Sequence, residues 1–197
     1  ALRTLASLQG RSPVDAPSSR LYEDLADTFR GELLIDPVAL AAYACDGSLF
    51  EQQPLAVACP RDRDDVATIV RYAAEHHLTV IPRGAGTGSV GGAIGAGIIL
   101  DVSRFLRNIG PLVDDTICVE AGVVLDELNR HLRPHGWMYG PSPLTAASTT
   151  IGGMLAVNAT GTRTLAVGTT AHSVVSIEAV LADGRCVTII ETERHAA

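Results

Sequence analysis

Basic residues are the scarcer charge in this chain: 15 Lys and Arg stand against 22 Asp and Glu, a formal net charge of −7. Aromatic residues make up only 4%, and no basic run or aromatic-basic stripe occurs, so the electrostatic footprint of a nucleic-acid-binding protein is absent. Long apolar runs are missing as well. No segment reaches the roughly 18 apolar residues of a membrane-spanning helix, and Ala1 to Arg20 holds no apolar stretch of the length that a secretory signal needs. Cysteine is sparse: Cys45, Cys59, Cys118 and Cys186 stand singly with no C-x-x-C pair, the usage expected of free thiols in a reducing compartment. These absences together read as a soluble, cytoplasmic chain. G-x-S-x-G and an activated Cys/His pair are also lacking, which leaves nucleophilic hydrolysis without support. His131 and His135 have a spacing that can place two imidazoles on one face. Pro134 lies between them and no third ligand is adjacent, so they read as a surface helix end and no metal site is expected.

Glycine and aliphatic residues are plentiful. Apolar residues reach 47% with 19% charged, the balance of an ordinary globular chain, and 197 residues suffice for one domain or two small lobes. Residues 1–19, with Pro13 and Pro17, read as a flexible N-terminal arm. Residues 20–54 read as a helical segment: Tyr22, Leu25, Ala26 and Phe29 share a helical face that Gly31 ends, and Asp36-Pro37 opens a second short helix. There Tyr43 and Asp46 read as packing or capping residues. Leu55 to Ala58, the Asp62 to His77 helix and Leu78 to Pro82 form a β-α-β unit, which right-handed crossover geometry places in a parallel sheet. This opens a first lobe over 55–108. It ends with a strand at Gly97 to Val102. The second, 109–197, is mainly antiparallel: strands at Ile109 to Val113 and Thr116 to Glu120, a helix at Val123 to Leu132, a short helix from Ile151, and a hairpin of Val174 to Leu181 with Cys186 to Ile190. The fold class is therefore α+β. The chain starts at Ala1 and stops soon after a strand-like run, so it reads as an excised piece.

The strongest local signal is Arg83-Gly84-Ala85-Gly86-Thr87-Gly88-Ser89-Val90-Gly91-Gly92-Ala93-Ile94-Gly95, directly after the apolar run ending Val80-Ile81-Pro82. Glycine presents its N–H without a shielding side chain and tolerates φ > 0, so such a loop can wrap an anion, most simply a phosphate. Gly86 to Gly91 literally matches G-x-G-x-x-G. A nicotinamide-type fingerprint, however, needs those glycines to open a helix and an acid roughly 20 positions on. Gly92, Gly95 and Gly97 follow instead, each costing roughly 1 kcal/mol in a helix, and Asp101 comes too early. The pattern predicts a backbone cradle at the carboxyl end of a strand, where open α/β sheets bind ligands. A second signal, Thr149-Thr150-Ile151-Gly152-Gly153 followed by Asn158-Ala159-Thr160-Gly161, reads alone as a helix cap with tight packing. Beside the first loop it suggests a second phosphate surface. Two cradles suit a dinucleotide held extended.

In order, Pro60 with its helix, Pro82-Arg83-Gly84-Ala85-Gly86-Thr87-Gly88, Val119-Glu120-Ala121-Gly122-Val123 with Leu125-Asp126-Glu127-Leu128, Thr150-Ile151-Gly152-Gly153, Gly168-Thr169-Thr170 and Val180-Leu181-Ala182-Asp183-Gly184 resemble the FAD-linked oxidase family. This is the vanillyl-alcohol-oxidase or PCMH-type flavin domain of glycolate oxidase flavin subunits and of D-lactate and D-2-hydroxyglutarate dehydrogenases, and the likeness covers roughly residues 32–190. The resemblance implies a PCMH-type FAD-binding fold, a small parallel β-α-β lobe followed by a larger lobe of mainly antiparallel strands with helices, with FAD extended between them. It implies pyrophosphate binding by the backbone of Pro82, Arg83, Gly84, Ala85, Gly86, Thr87, Gly88, Ser89, Gly91 and Gly92. Pro141, Thr145, Thr149, Thr150, Gly152 and Gly153 would lie along the flavin and ribityl chain, with Asn158, Ala159, Gly161, Val174 and Ile177 near the pyrophosphate and adenine. Members with covalent flavin use a His in the first loop or a Cys before the second Gly-Gly. Here stand Thr87 and Ala146-Ala147-Ser148-Thr149, so noncovalent FAD is expected.

Two departures stand out: Ala121-Gly122 replaces a familiar Pro-Gly, and Ala171-His172-Ser173 replaces the usual Arg-Asp-His. The resemblance further implies an intact enzyme that oxidises a 2-hydroxy acid by hydride transfer to FAD, with its cap domain and catalytic groups elsewhere and its electron acceptor unspecified. Ala44-Cys45-Asp46-Gly47-Ser48 resembles large flavoproteins carrying an iron-sulfur module further along the chain. The alternatives are a module that does not retain FAD, or the flavin domain of an enolpyruvyl reductase or molybdenum hydroxylase.

Overall fold

The computed structural model describes residues 17–190; the expected arm up to residue 16, and the closing residues 191–197, lie outside the described residues. Helix α1 (Pro17–Leu25) ends before the expected Gly31, because Thr28 N and Phe29 N both donate to Leu25 O in a closing turn. Phe29 still packs into the core. The segment to residue 54 is not wholly helical. Glu32–Leu34 forms strand β1, and helix α2 (Pro37–Tyr43) follows, capped by Asp36 Oδ1 accepting from Ala39 N at 2.9 Å with Pro37 in the first turn.

The first sheet contains β1, β2 (Ala56–Cys59), β3 (Val80–Arg83) and β4 (Ile98–Asp101), in the order β1-β2-β4-β3. β2, β4 and β3 are parallel, and β1 pairs antiparallel with β2 at one edge. The β-α-β unit is present, yet its two strands are not neighbours. Ile98-Ile99-Leu100 of β4 is buried throughout, and a strand apolar on both faces belongs between others. Ala56, Ala58, Ile98 and Leu100 face Leu21 and Leu25 of α1 and Ile69 and Ala73 of α3 (Arg63–Glu75). Val57, Cys59, Ile81 and Ile99 face Leu40 of α2 on the other side. Asp62 caps α3 by accepting from Asp64 N and Asp65 N, each at 3.0 Å.

The second lobe holds two separate antiparallel hairpins. β5 (Ile109–Val113) and β6 (Thr116–Val119) turn at Asp114, φ 55°. They cover α4 (Leu125–Leu132), whose Leu128 and Leu132 bury against Ile109, Leu112, Ile117 and Val119. After the short helices α5 (Ile151–Ala156) and α6 (Thr164–Val167), β7 (Ser176–Val180) and β8 (Cys186–Ile190) close through Gly184, φ 79°. This hairpin rests on α3: Arg63 donates to Glu178 at 2.8 Å, and Arg71 fills the space beside Gly184. The lobes are thus joined through α3 as well as through the chain.

Candidate functional site

The glycine loop connects β3 to β4 and leaves from the carboxyl end of β3. Pro82 is exposed. Arg83, expected to offer its backbone to a phosphate, turns its side chain back: the guanidinium donates to the carbonyls of Cys45 at 2.9 Å, Ala93 at 3.1 Å and Tyr43 at 3.4 Å, and lies 5.1 Å from the centre of the Tyr43 ring. It fastens both ends of the loop to the segment following α2, and leaves a positive charge behind the loop. Gly86 and Gly91 adopt φ 66° and 75°, and a Cβ on Gly86 would come within 2.6 Å of that guanidinium. Ala85, Thr87, Gly88, Ser89 and Gly92 are exposed. From Gly84 to Gly92, no peptide N–H donates to another described residue. A Cβ built on Gly88 or Gly92 would meet open space. Unengaged N–H groups in a largely exposed loop with a cation behind it are what an anionic ligand requires.

Asp101, the acid nearest this loop, belongs to the scaffold. Buried to 5% exposure, it accepts from the Tyr43 hydroxyl at 2.6 Å and from Ser103 N and Oγ at 2.8 and 2.7 Å. Burial, reinforced by the Asp101 carboxylate, holds the Tyr43 phenol well above its ordinary range. Asp46 is the cap that its sequence suggests: Oδ1 accepts from Ser48 N at 2.8 Å and Oδ2 from Ala93 N at 3.3 Å. Desolvation pushes its carboxyl up, but the Ser48 and Ala93 hydrogen bonds and the Arg83 charge outweigh this and hold it below the ordinary value.

The two glycine signals meet. A Cβ on Gly84 would lie 2.1 Å from Thr150 Oγ1, so the first loop touches the second segment backbone to side chain. Thr149, buried, places Oγ1 2.6 Å from Thr145 Oγ1 and 3.5 Å from Thr87 Oγ1, a hydroxyl chain crossing between the segments. Thr150 caps α5 by accepting from Gly153 N at 3.3 Å, and Gly152 N donates to Ala121 O at 2.8 Å. The donors of the second Gly-Gly are therefore engaged in the scaffold. Gly152 is needed for packing, since a Cβ there would lie 2.7 Å from that of Ala121.

Of the remaining expected residues, Pro141 is buried. Gly161 approaches the next residue so closely that a Cβ would sit 2.1 Å from Ser142 O. Asn158, φ 47°, accepts from Ala171 N at 2.9 Å, and Ala159 O accepts from Thr170 N and Oγ1 at 3.1 and 2.9 Å. The departing triplet has a local role here: His172 Nδ1 accepts from Thr169 N at 3.2 Å and closes the turn. Val174 and Ile177 flank or lie on a different element, β7, whose partners are β8 and α3. The structure thus brings together Arg83 to Gly92 with Thr145 to Thr150, sets Gly161 beside Ser142, and ties Asn158 and Ala159 to Ala171 and Thr170. Among the described residues no group of three or more His, Cys, Asp or Glu is placed as a metal ion would need.

Residues 54–190 match the family model described as FAD binding domain. The chain is 37% identical over 161 residues to the D-2-hydroxyglutarate dehydrogenase of Escherichia coli K12, covering 79% of this chain and 16% of that protein. It is 33% identical over 163 residues to the glycolate oxidase subunit GlcD of the same strain, covering 80% and 32%. With the D-lactate dehydrogenase of Archaeoglobus fulgidus it shares 38% over 133 residues, covering 66% and 30%. Among solved structures, an alkyldihydroxyacetonephosphate synthase superposes with a TM-score of 0.75 at 21% identity, over 92% of this chain and 34% of that one, a likeness of fold. The chain spans between about a sixth and a third of the length of these curated relatives. With well over half of its length matched by the family model and a glycine cradle of the kind that a pyrophosphate requires, the chain belongs to the FAD-binding-domain family of PCMH-type fold.

Proposed function

We propose that this chain is the FAD-holding part of a longer oxidoreductase that oxidises a small 2-hydroxy acid. The carrying observation is the loop from Gly84 to Gly92, whose peptide N–H groups donate to no other described residue, while Arg83 fastens its ends and Thr150 abuts its start. FAD, bound noncovalently there, supplies the acceptor for a hydride at its N5. The residues of the chain bind and orient it. Backbone N–H groups between Gly84 and Gly92 would hold the pyrophosphate, and the Arg83 charge would favour the anion while its guanidinium stays on the Tyr43, Cys45 and Ala93 carbonyls. Thr145, Thr149 and Thr87 offer hydroxyls that rotate to donate or accept along the ribityl side. Gly152 and Gly153 set the spacing of that wall, and Pro141, Asn158, Ala159, Gly161, Val174 and Ile177 shape its continuation.

The substrate class rests on the relatives, whose names specify D-2-hydroxyglutarate, glycolate and D-lactate. We assign no catalytic residue to this chain and leave the electron acceptor open. Free cysteines, three of them exposed, support a reducing, cytoplasmic setting. No helix among the described residues is long and apolar enough to cross a membrane. Titration with FAD tests the reading: flavin fluorescence should quench and the visible band should gain fine structure. Uptake of NAD without uptake of FAD would overturn it.

A further inference from the structure

We infer that Gly47, which lies ahead of the family-matched residues 54–190, is a positioning residue for the pyrophosphate cradle: it aligns the N–H groups of Thr87, Gly88 and Ser89 on one side of the loop. The inference rests on the flavin-holding reading and adds a residue outside the motif region. Gly47 N donates to Gly86 O at 2.9 Å. A Cβ built on Gly47 would lie 2.8 Å from Thr87 O, 2.9 Å from Gly88 O and 3.1 Å from the Thr87 carbonyl carbon. Three successive carbonyls, those of Gly86, Thr87 and Gly88, are therefore turned toward Gly47. In a trans peptide the C=O and the following N–H point to opposite sides, and among the described residues there is no cis peptide bond. The N–H groups of Thr87, Gly88 and Ser89 consequently face away from Gly47, toward the open side above Gly88. That is the arrangement of a backbone nest for an anion.

The neighbours of Gly47 hold it in this place from both directions. Asp46 binds Ser48 N and Ala93 N, Arg83 binds Cys45 O and Ala93 O, and Ser48 Oγ receives Phe50 N at 3.2 Å. The far end of the loop is braced as well, with Phe50 close against Gly91, where a Cβ would lie 3.0 Å from its ring. Only glycine fits between this clasp and the carbonyl row, because the atoms that a side chain would strike are backbone.

The test uses the chain with three probes: FAD, inorganic pyrophosphate, and riboflavin, which has no phosphate. Gly47→Ala should weaken FAD and pyrophosphate by the same factor, about tenfold, the loss of one charge-assisted hydrogen bond, and leave riboflavin unchanged. In the unsubstituted chain, pyrophosphate should shift the amide resonances of Thr87, Gly88 and Ser89, and these shifts should shrink in the variant. A merely structural role would move all three probes alike and overturn the inference. Equal FAD binding by Gly47→Ala and the unsubstituted chain would overturn it too, while leaving the flavin-holding reading standing. Failure of the unsubstituted chain to take either FAD or pyrophosphate would overturn both. Should circular dichroism show Gly47→Ala unfolded, Asp46→Asn supplies the test, since it keeps the shape but loses one acceptor of the clasp. It should weaken FAD and pyrophosphate together by several-fold, and no selective loss there would overturn the inference.

Discussion

Gly84→Ala measures how tightly the two glycine signals are joined. The new methyl would lie 2.1 Å from Thr150 Oγ1, which is buried at 1% exposure and cannot move without giving up its cap on Gly153 N. Overpacking a buried contact costs about 1–3 kcal/mol, and losing a threonine cap adds about 1 kcal/mol, so Gly84→Ala should destabilise by about 2–4 kcal/mol. Thr150→Ala alone should cost about 1 kcal/mol, the cap only. In the double variant the obstructing oxygen is gone, and the new methyl sits 3.4 Å from the remaining Cβ of residue 150. The double variant should then be more stable than Gly84→Ala, with a coupling of about 1–3 kcal/mol, within the range seen for residues in contact. Urea unfolding followed by circular dichroism gives the four free energies. Strict additivity, or a Gly84→Ala variant within about 0.5 kcal/mol of the unsubstituted chain, would refute the close approach of the two segments.

Other consequences are more local. Gly86→Ala, at φ 66° and against the Arg83 guanidinium, should disorder the loop and abolish FAD uptake, whereas Gly88→Ala should leave unfolding free energy unchanged and lower FAD affinity by filling the open side; parallel unfolding and flavin titrations check both. Tyr43→Phe leaves Asp101 Oδ2 buried without its donor and should cost about 1–3 kcal/mol in unfolding measurements. Burial pushes the Cys59 thiol up to about 11, so thiol reagents at pH 8 should label Cys45, Cys118 and Cys186 in the folded chain and Cys59 only after unfolding, as counted by mass spectrometry. Because the folded Asp46 carboxyl lies below its ordinary value of 3.8, its contribution to stability is complete above that value and is lost as pH falls through the folded value; Asp46→Asn should flatten that part of an acid-unfolding curve.

Local patterns carried the reading a long way. Asp36-Pro37, Asp62 and Thr150 are caps because short oxygen-bearing side chains satisfy the first peptide donors of a helix, a rule that needs no knowledge of distant chain. The β-α-β alternation and the turn at Gly184 were legible for the same reason. Strand order was not: β4 separates β2 from β3 because Ile98-Ile99-Leu100 is buried on both faces, a preference expressed only in competition with the other strands. β1, three residues long, has no periodicity to detect. At the site, the glycine loop and its meeting with Thr149 and Thr150 could be anticipated from residue type. The inward turn of Arg83 onto Ala93, Cys45 and Tyr43, the commitment of Asp101 to Tyr43, and the engagement of the Gly152 donor by Ala121 depend on partners 10 to 58 positions away. Asp46 reads as a packing or capping residue, and nothing in Asp46-Gly47-Ser48 points to Gly86.

The run from Gly84 to Gly97 is also the whole connection between two parallel neighbours, β3 and β4. A parallel pair requires its connection to travel the length of a strand and return, which takes a dozen or more residues and is commonly done by a helix. Here the glycine loop covers that distance without one. Its length is therefore dictated by the sheet, and several of its glycines by close packing, Gly84 against Thr150, Gly95 against Ile81 and Gly97 against Thr79. Residues can be added at the open positions around Gly88 and Gly92 without disturbing the strand pairing. Shortening the run would pull β3 out of register with β4, so the cradle could not be removed and the sheet retained.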